Sequence, residues 1–236
     1  MLQNLLLRLS SPFRSIIRRE LERREEAASK NIALELQRRA LQSTVDYIER
    51  RMAGLDSVPF RFKLLKLALS KATKDGLFCE FGVFSGESIN HIARQVKGRV
   101  YGFDSFEGLP ERWIDGFRPG HFALAKLPKV PKNVELIKGW FHETLPKFIA
   151  GHSDQVSFLH IDCDLYSSTN TILHLLGPQI VPGTVIVFDE YFNYPGWQFG
   201  EFKAFQEFIA RTKFSYEYIS YNRYDEQVAV LIKARD

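Results

Sequence analysis

The sequence predicts an α/β fold, with a doubly wound, mostly parallel sheet, an antiparallel last strand and a helical extension in front. Three observations predict it. From about residue 60 onward, short apolar runs alternate with helical patterns. Residues 1–54 show apolar residues at helical spacing only. The last two apolar runs, Phe214 to Tyr221 and Gln227 to Lys233, flank a short polar turn and are expected to pair antiparallel.

Composition fits one globular domain with an appendage. The chain has 236 residues, of which 45% are hydrophobic and 25% charged, and this argues against a disordered chain. Cys79 and Cys163 are too few for a disulfide framework and lie in or beside apolar runs, which favours a reduced, cytoplasmic protein. No run approaches the roughly 20 apolar residues that a membrane span requires.

Residues 1–58 are expected to form the helical extension and residues 59–236 the α/β domain. The first 54 residues carry 11 basic and 7 acidic side chains, and the remainder carries 21 of each. A domain without net charge argues against nucleic-acid binding. Acidic residues accompany the basic ones between Arg18 and Glu49, which favours a lid or the packing surface of a homodimer. Contact of a basic amphipathic helix with a membrane surface is the less favoured alternative.

The elements of the domain follow from apolar spacing and from chain-breaking residues. The first helix, Phe60 to Lys74, has leucines at helical spacing and ends at Asp75-Gly76. The expected parallel strands are Leu77 to Phe81, Val100 to Phe103, Val134 to Ile137, Val156 to Ile161 and, after a turn at Pro182-Gly183, Thr184 to Phe188. The further helices are Ser85 to Val96, Thr144 to Ile149, Ser168 to Leu176 and Gly200 to Thr212. The irregular segment Asp104 to Pro131 is expected to be a functional loop.

A nucleotide-type ligand is indicated at the carboxyl ends of the first two strands, where such sheets bind ligands. Gly82 and Gly86 allow a tight turn into the next helix, whose first N–H groups are free. Asp104 ends the second strand and is placed to accept hydrogen bonds from a ribose. Phe84 stands where a dinucleotide pattern requires glycine, and Glu80 suits a cationic ligand, so S-adenosylmethionine is favoured over NAD.

Aromatic residues and histidines near other strand ends are less specific signals. Trp140 and Phe141 follow Gly139 after the third strand, and their rings could flank an adenine or simply belong to the core. His142 and His160 are more typical of structural than of catalytic histidines.

Four carboxylates follow two strands that are expected to be neighbours. Asp162 and Asp164 come after the fourth strand, and Asp189 and Glu190 after the fifth. Buried like charges repel one another unless they are protonated or bound to a cation. Carboxylate oxygens are hard ligands that suit Mg²⁺ or Ca²⁺, although some of these residues could cap a helix or face solvent.

Four motifs in order resemble the macrocin O-methyltransferase family. They are Glu80-Phe-Gly-Val-Phe-Ser-Gly-Glu-Ser88, Tyr101-Gly-Phe-Asp-Ser-Phe-Glu-Gly-Leu-Pro110, His160-Ile-Asp-Cys-Asp-Leu-Tyr-Ser-Ser-Thr169 and Gly183-Thr-Val-Ile-Val-Phe-Asp-Glu-Tyr191. The resemblance covers about residues 60–235. It implies a Rossmann-like class I methyltransferase that uses S-adenosylmethionine, in a family of which several members methylate sugar hydroxyls in natural-product biosynthesis.

The resemblance also implies roles for individual residues. The methyl donor would contact Glu80, Gly82, Val83, Phe84, Ser85, Gly86, Ser88, Asp104, Ser105 and Phe106, with Gly139, Trp140 and Phe141 as further candidates. A divalent metal, usually Mg²⁺, would be held by Asp162, Asp189 and Glu190, although the family usually has two aspartates in the last pair. Asp162 is favoured as general base, and Asp164 also fits. Tyr191, Tyr194 and Trp197, which follow the metal-bearing strand, are expected to wall the acceptor pocket together with Phe192.

Three other functions stay open at this stage. An NAD-linked oxidoreductase or epimerase would use a similar sheet, but Phe84 and the carboxylates argue against it. A non-catalytic interaction protein could keep the cofactor fold, with Glu190 as a first sign of a lost metal site. A hydroxylase-like relative could use the same carboxylates for other chemistry, because fold alone does not determine function.

Overall fold

The computed structural model describes residues 11–72 and 75–235. The start of the expected extension, and the last two residues of the helix expected over Phe60 to Lys74, lie outside the described residues. Two helices open the described chain, α1 (Ser11–Ser29) and α2 (Ile32–Arg51). They separate at Asn31, whose side chain accepts a hydrogen bond from the Leu34 N–H and so caps α2. The N-terminal segment is therefore two helices rather than one long bent helix.

The sheet has seven strands in the order β3-β2-β1-β4-β5-β7-β6. Their bounds are β1 (Leu77–Phe81), β2 (Val100–Asp104), β3 (Val134–Lys138), β4 (Val156–Ile161), β5 (Ile180–Phe188), β6 (Phe214–Tyr221) and β7 (Val228–Arg235). The pairs among β1 to β5 are parallel, and β7 is antiparallel to both β5 and β6. The expected mostly parallel α/β sheet with an antiparallel last strand is confirmed, with β7 inserted between β5 and β6.

Helix α3 (Arg61–Leu69) precedes β1, and four more helices connect strands: α4 (Glu87–Ala93), α5 (Phe141–Gly151), α6 (Tyr166–Leu175) and α7 (Glu201–Thr212). The turn expected at Pro182-Gly183 lies inside β5, which begins at Ile180, and the pairing of β5 with β4 shifts there between Ile180 and Val185. Pro182 can lie there because β5 pairs with β7 only from Val185 onward, so the proline breaks no ladder hydrogen bond on that side.

The two faces of the sheet bury separate apolar clusters. Cys79 and Phe81 of β1 point to the cluster that also holds side chains of α5, α6 and α7, whereas Phe78 points to the cluster built with α3 and α4. Helices therefore cover both faces, as expected of a doubly wound sheet. Ala40 of α2 and Met52, the residue that follows the end of α2, belong to the first cluster. This helix therefore packs directly on the α/β domain.

The strand order of the sheet reverses between β1 and β4. Strands β2 and β3 extend the sheet on one side of β1, and β4 and β5 extend it on the other. The loops leaving β1 and β4 consequently diverge and open a crevice at their carboxyl ends, which is where ligands bind in such sheets.

Candidate active site

A cavity of about 650 Å³ lies in this crevice. Its wall includes many of the residues that the sequence indicated: Gly82, Phe84, Asp104, Ser105, Gly139, Trp140, Phe141, Asp162, Asp164, Asp189 and Glu190. Residues that arise from five strand ends are thus brought to one cavity, whose size lies in the range of small-molecule sites.

The floor of the cavity is shaped by the close approach of two backbones. Gly82 follows β1 with φ +90°, and a Cβ placed there would lie 1.6 Å from the carbonyl oxygen of Asp162. Asp162 N in turn donates to the carbonyl oxygen of Phe81 at 2.8 Å. Only glycine allows this contact, which leaves the space above the two strand ends open.

Asp104 organises the loops at the end of β2. Its Oδ2 accepts hydrogen bonds from the N–H groups of Val83 and Phe84, both at 2.8 Å, and its Oδ1 accepts one from Phe106 N at 2.6 Å. A carboxylate offers about four lone-pair sites, so three backbone donors leave room for one further hydroxyl donor. The side chain therefore fixes the loops and still lines the cavity.

Glu80 and Ser88 do not reach the cavity. Glu80 is fully buried, with Oε1 accepting from Ser88 Oγ at 3.1 Å and Oε2 lying 3.0 Å from His160 Nδ1. The structure therefore places the Glu80 carboxylate beneath the site, where it cannot meet a ligand directly. The side chains of Val83 and Phe106 are likewise buried away from the cavity, and neither Ser85 nor Gly86 lines it.

His160 joins Glu80 to the carboxylate cluster, a role that the sequence analysis missed. Its Nε2 lies 3.3 Å from Asp189 Oδ1, on the opposite side of the ring from Glu80. Burial acts to lower the pKa of His160, but the hydrogen bonds to Asp189 and Glu80 raise that pKa to about 10. The imidazolium form, which donates from both nitrogens, suits a ring held between two carboxylates.

Arg61, the first residue of α3, lies among the carboxylates. Its Nη2 is 3.5 Å from Asp162 Oδ2 and its Nη1 is 3.3 Å from Asp189 Oδ2. Burial acts to lower the pKa of Arg61, but the charges of Asp189 and Asp162 raise it above its ordinary value. The sequence analysis did not indicate this residue as part of the site, because it considered residues that follow strands and Arg61 comes from a helix that precedes β1.

The two aspartates at the strand ends differ in proton affinity. Burial acts to raise the pKa of Asp189, but the hydrogen bond from His160 and the charge of Arg61 lower it. Burial and the neighbouring charge of Asp189 instead raise the pKa of Asp162 well above its ordinary value. Neighbouring carboxylates with diverging pKa values are typical of acid–base sites.

Asp164 and Glu190 form the outer part of the cluster. Asp164 adopts φ +64°, and burial followed by the charge of Asp189 raises its pKa to about 7. Burial and the charge of Asp164 raise the pKa of Glu190. Among the described residues, Glu190 Oε2 is buried without a hydrogen-bond partner. His160, Asp162 and Asp189 each offer one atom that could bind a metal, and these three atoms lie within 4.8 Å of one another.

The aromatic residues after β5 lie elsewhere than the sequence analysis expected. Tyr191, Tyr194 and Trp197 are buried and do not line the cavity. After Glu190 the chain turns toward α2, and Trp197 Nε1 donates to Ser43 Oγ at 3.0 Å. The expectation that these side chains wall the acceptor pocket is therefore corrected.

Aromatic residues of the long loop line the cavity instead. They are Trp113, Phe117 and Phe122, from the segment between β2 and β3. Tyr194 lies behind them, with its ring centroid 5.6 Å from that of Trp113. The Phe-rich composition of this segment was the signal that located a functional loop, although it did not single out these rings.

Comparison with known proteins shows what the region around this site is similar to. Residues 79–191, which run from β1 to the end of the carboxylate cluster, match the family described as a methyltransferase domain. This part of the chain is therefore similar to methyltransferase domains of this family. The match confirms the methyltransferase resemblance of the four motifs, and every residue that lines the cavity except Arg61 lies within the matched segment.

One relative is 31% identical over 172 residues, namely 8-demethyl-8-(2,3-dimethoxy-alpha-L-rhamnosyl)-tetracenomycin-C 4'-O-methyltransferase of Streptomyces olivaceus. The match covers 61% of this chain and 63% of the relative, so the chain spans somewhat less than two thirds of the length of that relative.

Two solved structures share the fold. The calicheamicin methyltransferase CalS11 superposes with a TM-score of 0.58 at 19% identity, covering 94% of each chain. The O-methyltransferase NovP superposes with a TM-score of 0.56 at 24% identity, covering 74% of this chain and 78% of the other. Within residues 11–72 and 75–235, we find no helix with the length and apolarity needed to cross a membrane.

Proposed function

We propose that this chain is an S-adenosylmethionine-dependent O-methyltransferase acting on a hydroxyl of a sugar or related natural product. The observation that carries the proposal is one cavity, within a methyltransferase domain, that joins a glycine-floored crevice to a cluster of carboxylates. The S. olivaceus relative is named for O-methylation of a rhamnosyl-bearing compound, which supports a sugar acceptor.

The methyl donor would lie over the ends of β1 and β2. Gly82 leaves space for it, and Asp104 keeps acceptor capacity for a ribose hydroxyl. Trp140 and Phe141, beside Gly139, would contact the adenine at the far side of the cavity. Ser105 lines the same wall. Glu80 and Ser88 would not contact the donor directly. They would act only through His160 and through the strand ends that lie beneath the site.

Asp162 would take the proton of the acceptor hydroxyl. Methyl transfer from a sulfonium is an in-line displacement, which requires an oriented nucleophile more than an activated leaving group. A base must hold the proton that it accepts, and the raised pKa of Asp162 favours this residue over Asp189, whose pKa is lowered. Asp164, with a pKa of about 7, is the alternative base.

A divalent metal, with Mg²⁺ as the first candidate, is proposed at the carboxylates of Asp162, Asp189 and Glu190. Asp162 and Asp189 offer hard oxygens within 4.8 Å of each other, and Glu190 lines the same cavity with an Oε2 that has no hydrogen-bond partner among the described residues. When bound, such a metal lowers the pKa of a coordinated hydroxyl and orients it. His160 and Gln227 would then hold Asp189 in place.

Donor binding tests the proposal first. Calorimetry of the purified protein with S-adenosylmethionine, in Mg²⁺ and in EDTA, is expected to show binding of the donor and none of NAD. Methyl transfer to deoxysugar glycosides should then fall at least about 100-fold in Asp162→Asn, the low end of the contribution of a general base. Absence of donor binding in both conditions would reject the methyltransferase function.

The acceptor wall is proposed at Trp113, Phe117 and Phe122, since rings of this kind stack on sugar or aromatic rings. Replacement of Trp113 by Ala is expected to raise the KM for the acceptor about tenfold without changing donor affinity, a loss of about 1.4 kcal/mol. The matched control is Tyr194→Phe, which removes a buried hydroxyl that has no partner among the described residues and lies outside the cavity. Equal KM values in both variants would place the acceptor elsewhere.

A homodimer is proposed through the extension, residues 1–58, with the methyltransferase domain over 59–236. Leu34, Leu41 and Val45 of α2 recur at helical spacing and are exposed, and Phe13 and Ile16 of α1 are exposed as well. A second copy could cover this stripe. Sedimentation should show a dimer that Leu41→Glu dissociates, while Gln42→Glu beside it has no effect. A wild-type monomer would contradict this proposal.

A cytoplasmic location is proposed from the thiols. Cys79 and Cys163 are both free and buried. Burial raises the pKa of each thiol, which keeps them protonated and unreactive. Such cysteines are typical of proteins that work in a reducing compartment.

A further inference from the structure

The Arg61 guanidinium lies between two of the proposed metal ligands. It contacts Oδ2 of Asp162, at the end of β4, and Oδ2 of Asp189, at the end of β5. These carboxylates come from neighbouring strands, and a bridging cation neutralises the repulsion between them. Arg61 therefore already supplies a positive charge at the position where the proposed metal needs those oxygens.

Both oxygens of Asp189 already have partners in this arrangement. Its Oδ1 faces His160 Nε2 at 3.3 Å, and its Oδ2 accepts from Arg61 Nη1 at 3.3 Å and from Gln227 Nε2 at 3.1 Å. Two donors use both lone pairs of Oδ2, so a metal ion that binds this oxygen must displace Arg61 or Gln227. His160 is fully buried and also anchored by Glu80, and Gln227 is buried, so neither can withdraw easily.

Arg61 is the donor best able to leave. Its side chain is 30% exposed and borders the cavity. Among the described residues, its polar contacts are the two aspartates, and its Nε is buried without a hydrogen-bond partner. An Nε–H without an acceptor weakens the hold on the guanidinium in this position. Arg61 also begins α3, so its side chain can move without disturbing a helix interior.

We propose that Arg61 is an internal competitor of the divalent cation, occupying the carboxylates of Asp162 and Asp189 when the metal is absent and withdrawing when it binds. The inference rests on the metal-assisted function proposed above and adds a residue that sets metal affinity. An always-charged guanidinium and a metal ion cannot share the same two oxygens without strong repulsion.

The test uses Mn²⁺, whose binding to the whole chain is followed by electron paramagnetic resonance, with Mg²⁺ as competitor. Arg61→Gln keeps an N–H donor and removes the charge, and it is expected to bind Mn²⁺ about tenfold more tightly or better, since one cation within 4 Å is lost. Arg61→Lys keeps a charge and should change affinity less. Arg99→Gln is the control, because Arg99 is exposed and pairs with Glu135 away from the cavity.

A second measurement does not depend on a variant. The Nε–Hε resonance of Arg61 in the wild-type protein, assigned with Arg61→Lys, should shift when Mg²⁺ is added to saturation. Equal or weaker Mn²⁺ binding by Arg61→Gln, an unshifted resonance, or no Mn²⁺ binding by either protein would overturn the inference.

The outcomes separate this inference from the proposed function. Tighter Mn²⁺ binding by Arg61→Gln together with methyl transfer that is unaffected by EDTA would support Arg61 as competitor and reject metal assistance. Turnover abolished by EDTA together with an Mn²⁺ affinity that is unchanged in Arg61→Gln would support metal assistance and reject Arg61 as competitor. Binding of S-adenosylmethionine is measured separately, so methyl transfer itself is not at stake in either result.

Discussion

Gly82 and Asp162 are in backbone contact so close that residue 82 has no room for a side chain. A Cβ there would lie 1.6 Å from the carbonyl oxygen of Asp162 and 2.6 Å from its carbonyl carbon. The contact joins the end of β1, under the proposed donor, to the residue proposed as base. Donor site and carboxylate cluster therefore cannot shift independently of each other.

Gly82→Ala is expected to destabilise the protein by more than about 3 kcal/mol and to abolish donor binding. An alanine at positive φ costs about 1–2 kcal/mol by itself, and the clash with Asp162 adds to that. The measurement is urea unfolding, with calorimetry for the donor. Gly116→Ala is the matched control, because Gly116 has φ +88° but nothing within 4 Å of its Cβ position. Equal losses in the two variants would show that strain, rather than the Asp162 contact, decides the effect.

Asp104→Asn is expected to cost about 1–3 kcal/mol of stability and to weaken donor binding. Three backbone N–H groups depend on the Asp104 carboxylate, and an amide has only one oxygen, so at least one donor is left without a partner. Chemical unfolding and calorimetry with S-adenosylmethionine measure the two effects. Glu107→Gln, on an exposed side chain of the same loop, should change neither. A stable Asp104→Asn that binds the donor normally would contradict the role given to Asp104.

Glu226 is expected to make stability depend on pH. Burial, followed by the charges of Asp225 and Asp189, raises its pKa to about 8 from an ordinary value of 4.5. In the window between these two values the folded protein holds a proton that the unfolded chain releases, so stability falls as pH rises from 4.5 to 8. Glu226→Gln lacks this effect and should melt higher than wild type at pH 8.

The comparison is thermal unfolding of wild type and Glu226→Gln between pH 5 and pH 9. The difference in melting temperature should grow with pH and level off above pH 8. Glu25→Gln, an exposed change on α1, should leave the profile of the wild type unchanged. A difference that is constant over this range would show that Glu226 does not titrate as described.

Thr44→Val is expected to loosen α2 from the domain at a cost of about 1–3 kcal/mol. The buried Thr44 Oγ1 accepts a hydrogen bond from Asn193 N at 2.9 Å, and valine has the same shape without the acceptor. The free energy of unfolding in urea measures the loss, and proteolysis near residue 193 should become faster. Gln42→Ala, on the exposed side of the same helix, is the control. Unchanged stability of Thr44→Val would mean that α2 does not depend on this contact.

Much of the site was predictable because parallel strands end at one edge of a sheet. Once the strands before Gly82, Asp104, Asp162 and Asp189 were identified, their meeting at one cavity followed from the fold. The local signals were strong in each case: a glycine after an apolar run, or a carboxylate at the end of one.

Other parts of the site could not be predicted, because they depend on directions that a linear pattern does not contain. Glu80 and Phe81 are consecutive residues of β1, so their side chains point to opposite faces of the sheet. The Glu80 side chain lies beneath the strand ends, where it contacts His160. The aromatic residues after Glu190 follow β5 in sequence, but the chain leaves the cavity there to pack against α2. Sequence adjacency was therefore a poor guide to which rings line the cavity.

The sequence by itself determined the α/β class, the resemblance to methyltransferases and the residues at the strand ends, since apolar period, motifs and glycine placement are local properties. Only the tertiary structure decided what surrounds the carboxylates. Arg61 precedes β1, and His160 lies within β4 two residues before Asp162, yet both meet Asp189. Such contacts arise from the packing of α3 and β4 around one crevice, where electrostatic interactions between residues distant in sequence fix the protonation and the charge of the site.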